Sequence, residues 1–554
     1  MLVKTIAAEV DSEHGFSSMA VSIYDTAWLA MIRKKSEWLF PASFTYLLEH
    51  QGLDGGWDPL DQSTRAAQYP EFHWIPDCIV HSLAGLLALC QHFKFAAYAG
   101  AEELPTDMPS RITRAKWFLD NKLATLTLDR ITHFGFELIV PVLLRLLEQE
   151  GLHFSFPAKE DLLRKYEGTS SANMTWLYDN GPCRVPLFCL EAFLWKIDFN
   201  RLSHLVTSTT GITASPASTA AYLIHSDVWS GEGEAYLRHV VSRSGDGSLG
   251  GIFPLDIFES CWVLTALLEN GFASEDLGVE KVDRILQVIR ESLIDGATGA
   301  THAFLPDADD TARALMILNL NGCKTSPVGM IQRFEGDDCF RTFDDELPNQ
   351  VASVSVNGNV LGALLLSPDP NLFAAQIEKV ARFLCAQWGP QETLQDHWNI
   401  SQYYGIMHIA VSLTHLLKLH DRGQLPSLPA DLTTCRIIPS TLKRLLDHLL
   451  AGQHLDGSWG ELHCCEEAAY AVVALAHIGS YPPVVGEREN EADRSIARGK
   501  QFMLENWAFD SPKPDRLWTG KVLHGSAYVA EAYVLAALRV DKVRMAAAGS
   551  IPHR

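Results

Sequence analysis

The 554-residue chain is short of positive charge. Its 45 Lys and Arg face 67 Asp and Glu, for a formal net charge of −22. That balance argues against a nucleic-acid partner, because phosphate binding needs a basic surface. An anionic small substrate remains compatible with it, given a local basic pocket. Zinc-ligand spacing is missing too. The eleven cysteines form no CxxC pair. The tightest cluster, His463-Cys464-Cys465, suits a metal poorly, since adjacent cysteines rarely chelate one ion. Reduced thiols fit an intracellular compartment. No apolar run reaches about eighteen residues, so no membrane span is expected. The opening "MLVKTIAAEV" is neither a signal peptide nor a transit peptide, which predicts a cytoplasmic location. Strand-like alternation with hairpin turns is nearly absent.

What is present is helical. Apolar residues make up 47% of the chain and charged residues 20%, enough for large cores. "HSLAGLLALCQHF", "FELIVPVLLRLLEQ", "CWVLTALLENG", "DDTARALMILNLNG", "HIAVSLTHLLKLH" and "AYAVVALAHIG" carry apolar residues at i, i+3, i+4 and i+7. Gly or Asn-Gly stops several of them. The fold class is all-α. A longer rhythm runs through "QGLDGGW" (51–57), "RSGDGSL" (243–249) and "QHLDGSW" (453–459). Each is a turn followed by an amphipathic helix, as in antiparallel helix pairs arranged in a ring. Length alone would allow about three or four average domains, but large helical barrels exceed that average.

The stretch "LPDADDTARALMILNLNG" puts Asp307, Asp309 and Asp310 beside a proline at the start of an apolar helix. One reading is a solvated helix start with acidic residues near the positive end of the dipole. The other is chemical. An Asp titrates near roughly 3.9 and is normally ionised at neutral pH. Burial and neighbouring anions both favour the protonated form. A carboxyl kept neutral in this way is an acid strong enough for a weakly basic group such as an alkene. Asp309 is then the donor, with Asp307 and Asp310 shaping its hydrogen bonding. Aromatic faces stabilise cations by about 0.5–2 kcal/mol each. Trp262, Phe304, Phe340, Trp388, Trp398, Tyr403 and Tyr404 are the candidates, against the plain alternative that each is core.

Beyond the acid, several segments resemble one family in its own order along nearly the whole chain. "SIYDTAW" (22–28) is similar to its SxYDTAW, "GFELIVP" (135–141) to its GFE-x-x-x-P, and "SPASTAAYL" to its SPSSTA. "FPLDIFESCW" resembles YPVDLFE-x-x-W, "DADDTARAL" resembles DxDDTA, and "LWTGKVLHGS" resembles the late W-x-GK. The family is the class II terpene cyclases, specifically the diterpene cyclases that make copalyl-type diphosphates, and the wording is closest to fungal members. The resemblance implies two α-helical barrels, β and γ, with residues 1–35 as the first β segment, 36–252 as the inserted γ domain and 253–554 as the remaining β domain. The active site of the family lies between them. Its reaction protonates geranylgeranyl diphosphate, closes two rings and keeps the diphosphate. By the same resemblance Asp309 is the donor, Asn359 hydrogen-bonds it, and Lys521 contacts the diphosphate. Arg516 and Lys513 have weaker claims. Mg2+ is implied as a cofactor, although only Asp129 represents the acidic patch that usually precedes GFE.

The sequence departs from the family where plant members hold a His-Asn pair for the final proton: Phe188 and Gly251 stand there. No DDxxD motif appears, and "GDDCFRTFDDELP" reads as a solvated acidic loop. A class I terpene synthase or prenyltransferase, as a further domain or a partner, is one expectation. The rival readings are a cyclase acting on farnesyl diphosphate or squalene, and a helical scaffold without catalysis.

Overall fold

The computed structural model describes residues 1–10, 12–58, 71–99, 104–128, 131–170, 174–178, 185–344, 352–389, 394–510 and 513–540. The chain divides into two compact units. One comprises residues 1–12, 255–518 and 525–554, and the other 13–254 and 519–524. Both are helical, as the periodicity required.

In the first unit, six helices close an inner ring. Asp256–Glu269, Ala308–Leu320, Val354–Leu365, Gln402–Asp421, Cys465–Gly479 and Ala527–Arg539 each pack on the next, and the last packs on the first. All twelve residues of Val354–Leu365 and all fifteen of Cys465–Gly479 are buried. A helix buried all round belongs inside a ring, because it has no polar face to show to water. Val279–Ser292, Ala374–Gln387, Ile438–Ala451 and Glu489–Asn506 bury one stripe only and pack outside the ring. This is an α/α barrel.

The second unit repeats the plan. Ile23–Ala30, Glu71–Ala99, Phe136–Gln149, the 3-10 stretch Val185–Phe193 and Pro216–His225 close its inner ring. Glu71–Ala99 is the one unbroken helix among the described residues long and apolar enough to cross a membrane, and most of it is buried in this unit. Residues 13–35, assigned from the resemblance to the first β segment, belong here instead. The reason is that Ile23–Ala30 completes this ring: it packs on Glu71–Ala99 and Pro216–His225, and all eight of its residues are buried. The insertion therefore begins after residue 12 and ends at 254 rather than 252.

The recurring turn is one physical device used three times. Gly55, Gly247 and Gly457 have φ of 94°, 91° and 96°. A Cβ on any of them would lie within 2.6 Å of another segment's backbone, so only glycine fits. The preceding Asp accepts a backbone N–H two residues on in each copy. In the two full copies, Gln51 and Gln453 donate across to a later helix, at Arg111 O and Ser495 O. Trp57 and Trp459 donate back to Leu47 O and Leu449 O.

Candidate active site

Asp307 is the N-cap of the acid helix Ala308–Leu320, and its Oδ1 accepts the Asp310 N–H at 2.8 Å. Flanking backbone holds the cap rigidly, since Asp307 bridges both Thr298 and Phe343 and the Ala308 N–H donates to Thr342 O. All three carboxyls are buried, with Asp309 the most accessible at 8%. Burial pushes Asp309 up to about 7, with the Asp307 charge adding to the rise and an Asn359 hydrogen bond opposing it. Burial also lifts Asp307 to about 6 and Asp310 well above the usual range. Asp307 and Asp310 share a side-chain hydrogen bond, which requires a proton on one of them. The helix start is therefore an acid cluster and not a solvated cap.

Asn359, in the middle of the neighbouring inner helix Val354–Leu365, donates its amide to Asp309 Oδ1 at 2.6 Å. This bond occupies Oδ1 and leaves Oδ2 as the oxygen that can carry a transferable proton. The same helix is anchored by Asp396, which the sequence reading missed. Its carboxylate accepts from the Ser353 and Ser355 hydroxyls and from the backbone N–H groups of Val354, Ser355 and Trp398. Its negative charge also helps keep the proton on Asp309.

The inner helices bring an aromatic cluster to the acid. Trp262 donates to Tyr404 Oη at 2.9 Å and stacks on Phe258, with centroids 4.1 Å apart. Trp518, Tyr470 and Tyr533 surround Tyr404 at 4.9, 5.1 and 6.3 Å. Trp262 and Tyr404 were foreseen; the other four were not, although "EAYVLAALR" and "AYAVVALAHIG" carry two of them on apolar helix faces. Trp388 and Tyr403 do not join them. Both contact His448 on the outer helix Ile438–Ala451. Successive helical residues point about 100° apart, so Tyr403 faces outward when Tyr404 faces in. Phe340 is core, with its backbone N–H and C=O both bonded to the Asn357 amide. Trp398 is half-buried at the rim, edge-on to Phe343 at 6.2 Å. Phe304 is half-buried in the turn before the acid.

A second buried carboxyl, Glu466, accepts from Tyr470 and Trp518. Burial raises it to about 8, so it too is neutral at pH 7. The His463-Cys464-Cys465 cluster is structural: Cys464 caps Cys465–Gly479 through its sulfur.

Lys521 lies in the second unit and is neither solvated nor open. It is 3% exposed and donates to Glu191 at 2.6 Å and Ser215 at 2.7 Å. The Tyr24 and Ser218 hydroxyls also donate to Glu191. Two of the three Lys521 N–H donors are thus engaged inside the protein. Phe188 packs its ring 4.6 Å from the Lys521 ammonium, and a side chain at Gly251 would meet Asp25 Oδ2 at 3.1 Å. Arg516 is half-buried and Lys513 exposed. In the acidic loop, Asp337 and Asp338 are exposed and Asp344 pairs with Arg333; Asp345 lies outside the described residues. Asp129 does too. Among the described residues no group of three or more His, Cys, Asp or Glu converges as a metal would require. The Mg2+ implied by the resemblance thus finds no fitting ligand set there.

A cavity of about 390 Å³ is lined by Asp283, Gln287, Arg290, Asn321 and Cys323. It opens at the far end of the acid helix. Twelve residues at about 1.5 Å each put it roughly 18 Å from Asp309, too far to serve the acid.

Comparison with known proteins follows the same lines. The chain is 36% identical over 551 residues to the copalyl diphosphate synthase of Talaromyces verruculosus, covering 97% of this chain and 55% of that protein. It is 36% identical over 558 residues to a pimaradiene synthase of Emericella nidulans, covering 96% and 54%. The chain thus spans about half the length of the curated relatives it matches. Among solved structures, the ent-copalyl diphosphate synthase of Streptomyces platensis superposes with a TM-score of 0.75 at 24% identity, covering 97% of this chain and 98% of that one. Abietadiene synthase of Abies grandis gives 0.60 at 18%, covering 97% and 57%. These two share the fold. No protein-family profile matches the chain.

Proposed function

We propose a function from one premise: the chain belongs to the class II terpene cyclase family. Its reaction is the protonation-initiated cyclisation of geranylgeranyl diphosphate to a bicyclic copalyl-type diphosphate, with the diphosphate retained. The observation that carries this is the Asp309 carboxyl, buried and held near a pKa of about 7, with Asn359 bonded to one oxygen only. Its free oxygen delivers the proton to the terminal alkene, and the alkene π electrons become the new C–H bond. The tertiary cation left behind is attacked in turn by the next two double bonds, and the bicyclic cation then loses a C–H proton to water, the C–H electron pair becoming the product's new double bond, so that one proton enters and one leaves. Trp262, Tyr404 and the rings around them offer negative faces to those cations, each worth about 0.5–2 kcal/mol. Arg516 and Lys521 are the basic candidates for the diphosphate. This chain's own residues supply the acid.

Incubation with geranylgeranyl diphosphate, with and without Mg2+, followed by dephosphorylation and gas chromatography tests the reading. A bicyclic C20 alcohol is expected. A drimane-type alcohol formed only from farnesyl diphosphate would move the substrate to C15. The absence of any bicyclic alcohol from either would sink the cyclase reading.

A further inference from the structure

Arg313 is an anomaly of charge. It is 2% exposed, yet no carboxylate lies within ion-pair reach of it among the described residues. Its Nη2 donates to the Tyr533 hydroxyl at 3.0 Å and approaches His408 Nε2 at 3.5 Å. Its guanidinium lies 4.9 Å from the Trp262 ring, and its Nε has no partner. Those neighbours are neutral, since burial and Arg313 itself hold His408 well below the usual imidazole range. A buried cation without a counter-ion is costly, so a chain that keeps one has a use for it.

The use follows from position. Arg313 stands four residues after Asp309 on the same helix, which puts both on one face about 5–6 Å apart at Cβ. While Asp309 holds its proton, Arg313 faces a neutral group. When the O–H bond breaks, the electron pair stays on the carboxyl, and the proton goes to the alkene carbon. A full negative charge then appears one helical turn from the waiting guanidinium. We propose that Arg313 is the counter-charge for the carboxylate that Asp309 becomes, and so a positioning residue for the acid step. Burial keeps the proton on in the resting state; Arg313 lowers the energy of the state in which it has left. Tyr533 and the Trp262 face fix the guanidinium, and Tyr533 is itself bonded to Tyr404, so one network joins the counter-charge to the aromatic cluster.

The titratable and charged groups around the acid cluster and Arg313 are few. On the acid helix they are Asp307, Asp310 and Arg313. Asp396 comes from the loop before Gln402–Asp421, Tyr404 and His408 from that helix, Tyr533 from Ala527–Arg539, and Cys261 and half-buried Glu269 from Asp256–Glu269. Arg313 is the only cation among them.

The inference rests on the cyclase reading, and the test separates the two. In Arg313→Met, the alkaline limb of the kcat–pH profile should move up by about one unit. The plateau kcat should fall about ten- to a hundredfold while KM stays within about threefold. Arg313→Lys, which keeps the charge, should return the limb most of the way. Loss of packing alone would lower the plateau without moving the limb upward. A second readout needs no turnover: the infrared carboxyl band of Asp309, identified by its loss in Asp309→Asn, should titrate about one unit higher in Arg313→Met. Should that variant not fold, Arg313→Gln removes the charge and keeps a donor for Tyr533. An unmoved band in a folded charge-removed variant overturns the inference, whether or not the enzyme turns over. An upward shift in a protein that cyclises nothing supports the counter-charge and refutes the cyclase reading alone.

Discussion

Removing the Lys521 ammonium should unfold the second unit early, and the size of the effect follows from its surroundings. Lys521 and Glu191 are 3% and 1% exposed, with Nζ 2.6 Å from Oε1. Breaking a buried pair from one side costs about 3–5 kcal/mol, because the other charge stays behind without water. Glu191 would keep the Tyr24 and Ser218 hydroxyls, so the lower end, about 3 kcal/mol, is expected for Lys521→Met. For a unit of this size each kcal/mol moves Tm by about 2–4 °C, which gives about 6–12 °C. The companion variant Lys521→Met with Glu191→Gln removes both charges; the Gln oxygen still accepts from one hydroxyl, and its NH2 faces the other, which must turn to accept. It should recover to within about 1 kcal/mol of the parent. Differential scanning calorimetry on the ligand-free protein reads both, by comparing the transition that moves, since a two-unit chain need not unfold in one step. A single variant whose transition shifts by less than about 2 °C would refute the buried-pair argument. Kinetics on the double variant address substrate binding separately. An unchanged KM for geranylgeranyl diphosphate confines Lys521 to holding residues 519–524 in this unit. A KM raised about tenfold or more means that the ammonium also meets the diphosphate.

Three further outcomes are expected. On the proposed mechanism turnover requires protonated Asp309, whose carboxyl burial pushes up to about 7, so kcat should fall roughly tenfold per unit above that pH; a profile flat to pH 9 would remove Asp309 as the donor. Glu466, raised by burial to about 8 from an ordinary 4.5, binds its proton more tightly folded than unfolded. Its contribution is therefore fully present below about pH 4.5 and is lost as pH rises to about 8. Glu466→Gln should then stabilise the protein at pH 8.5 and leave it nearly unchanged at pH 5, and equal Tm shifts at the two values would contradict this. Gly457→Ala meets Arg498 O at 2.6 Å in a backbone with φ of 96°, and should cost about 2 kcal/mol or more in urea unfolding; a neutral result would mean that the turn can rearrange.

Local chemistry was legible in the residues. Apolar spacing specified the helices, Asp-Gly specified three turns, and the DxDD run specified a cap whose carboxyls crowd one another. These are effects of neighbours in the chain, and a sequence displays its neighbours. Arg313 was also in view, four positions after Asp309 in the same motif, and helical spacing would have found it. What could not be read was which side of a helix faces a ring interior. Tyr403 and Tyr404 are adjacent and aromatic, yet one meets His448 and the other Trp262. That Lys521 is paired could not be read either, because Glu191 is 330 positions away. Residues 13–35 looked like the start of one barrel because nothing local says which ring a short apolar helix closes. The sequence by itself determined the helices and placed the acid at the start of one of them. Only the folded chain decided that this acid is dry, and burial is what keeps its proton in place.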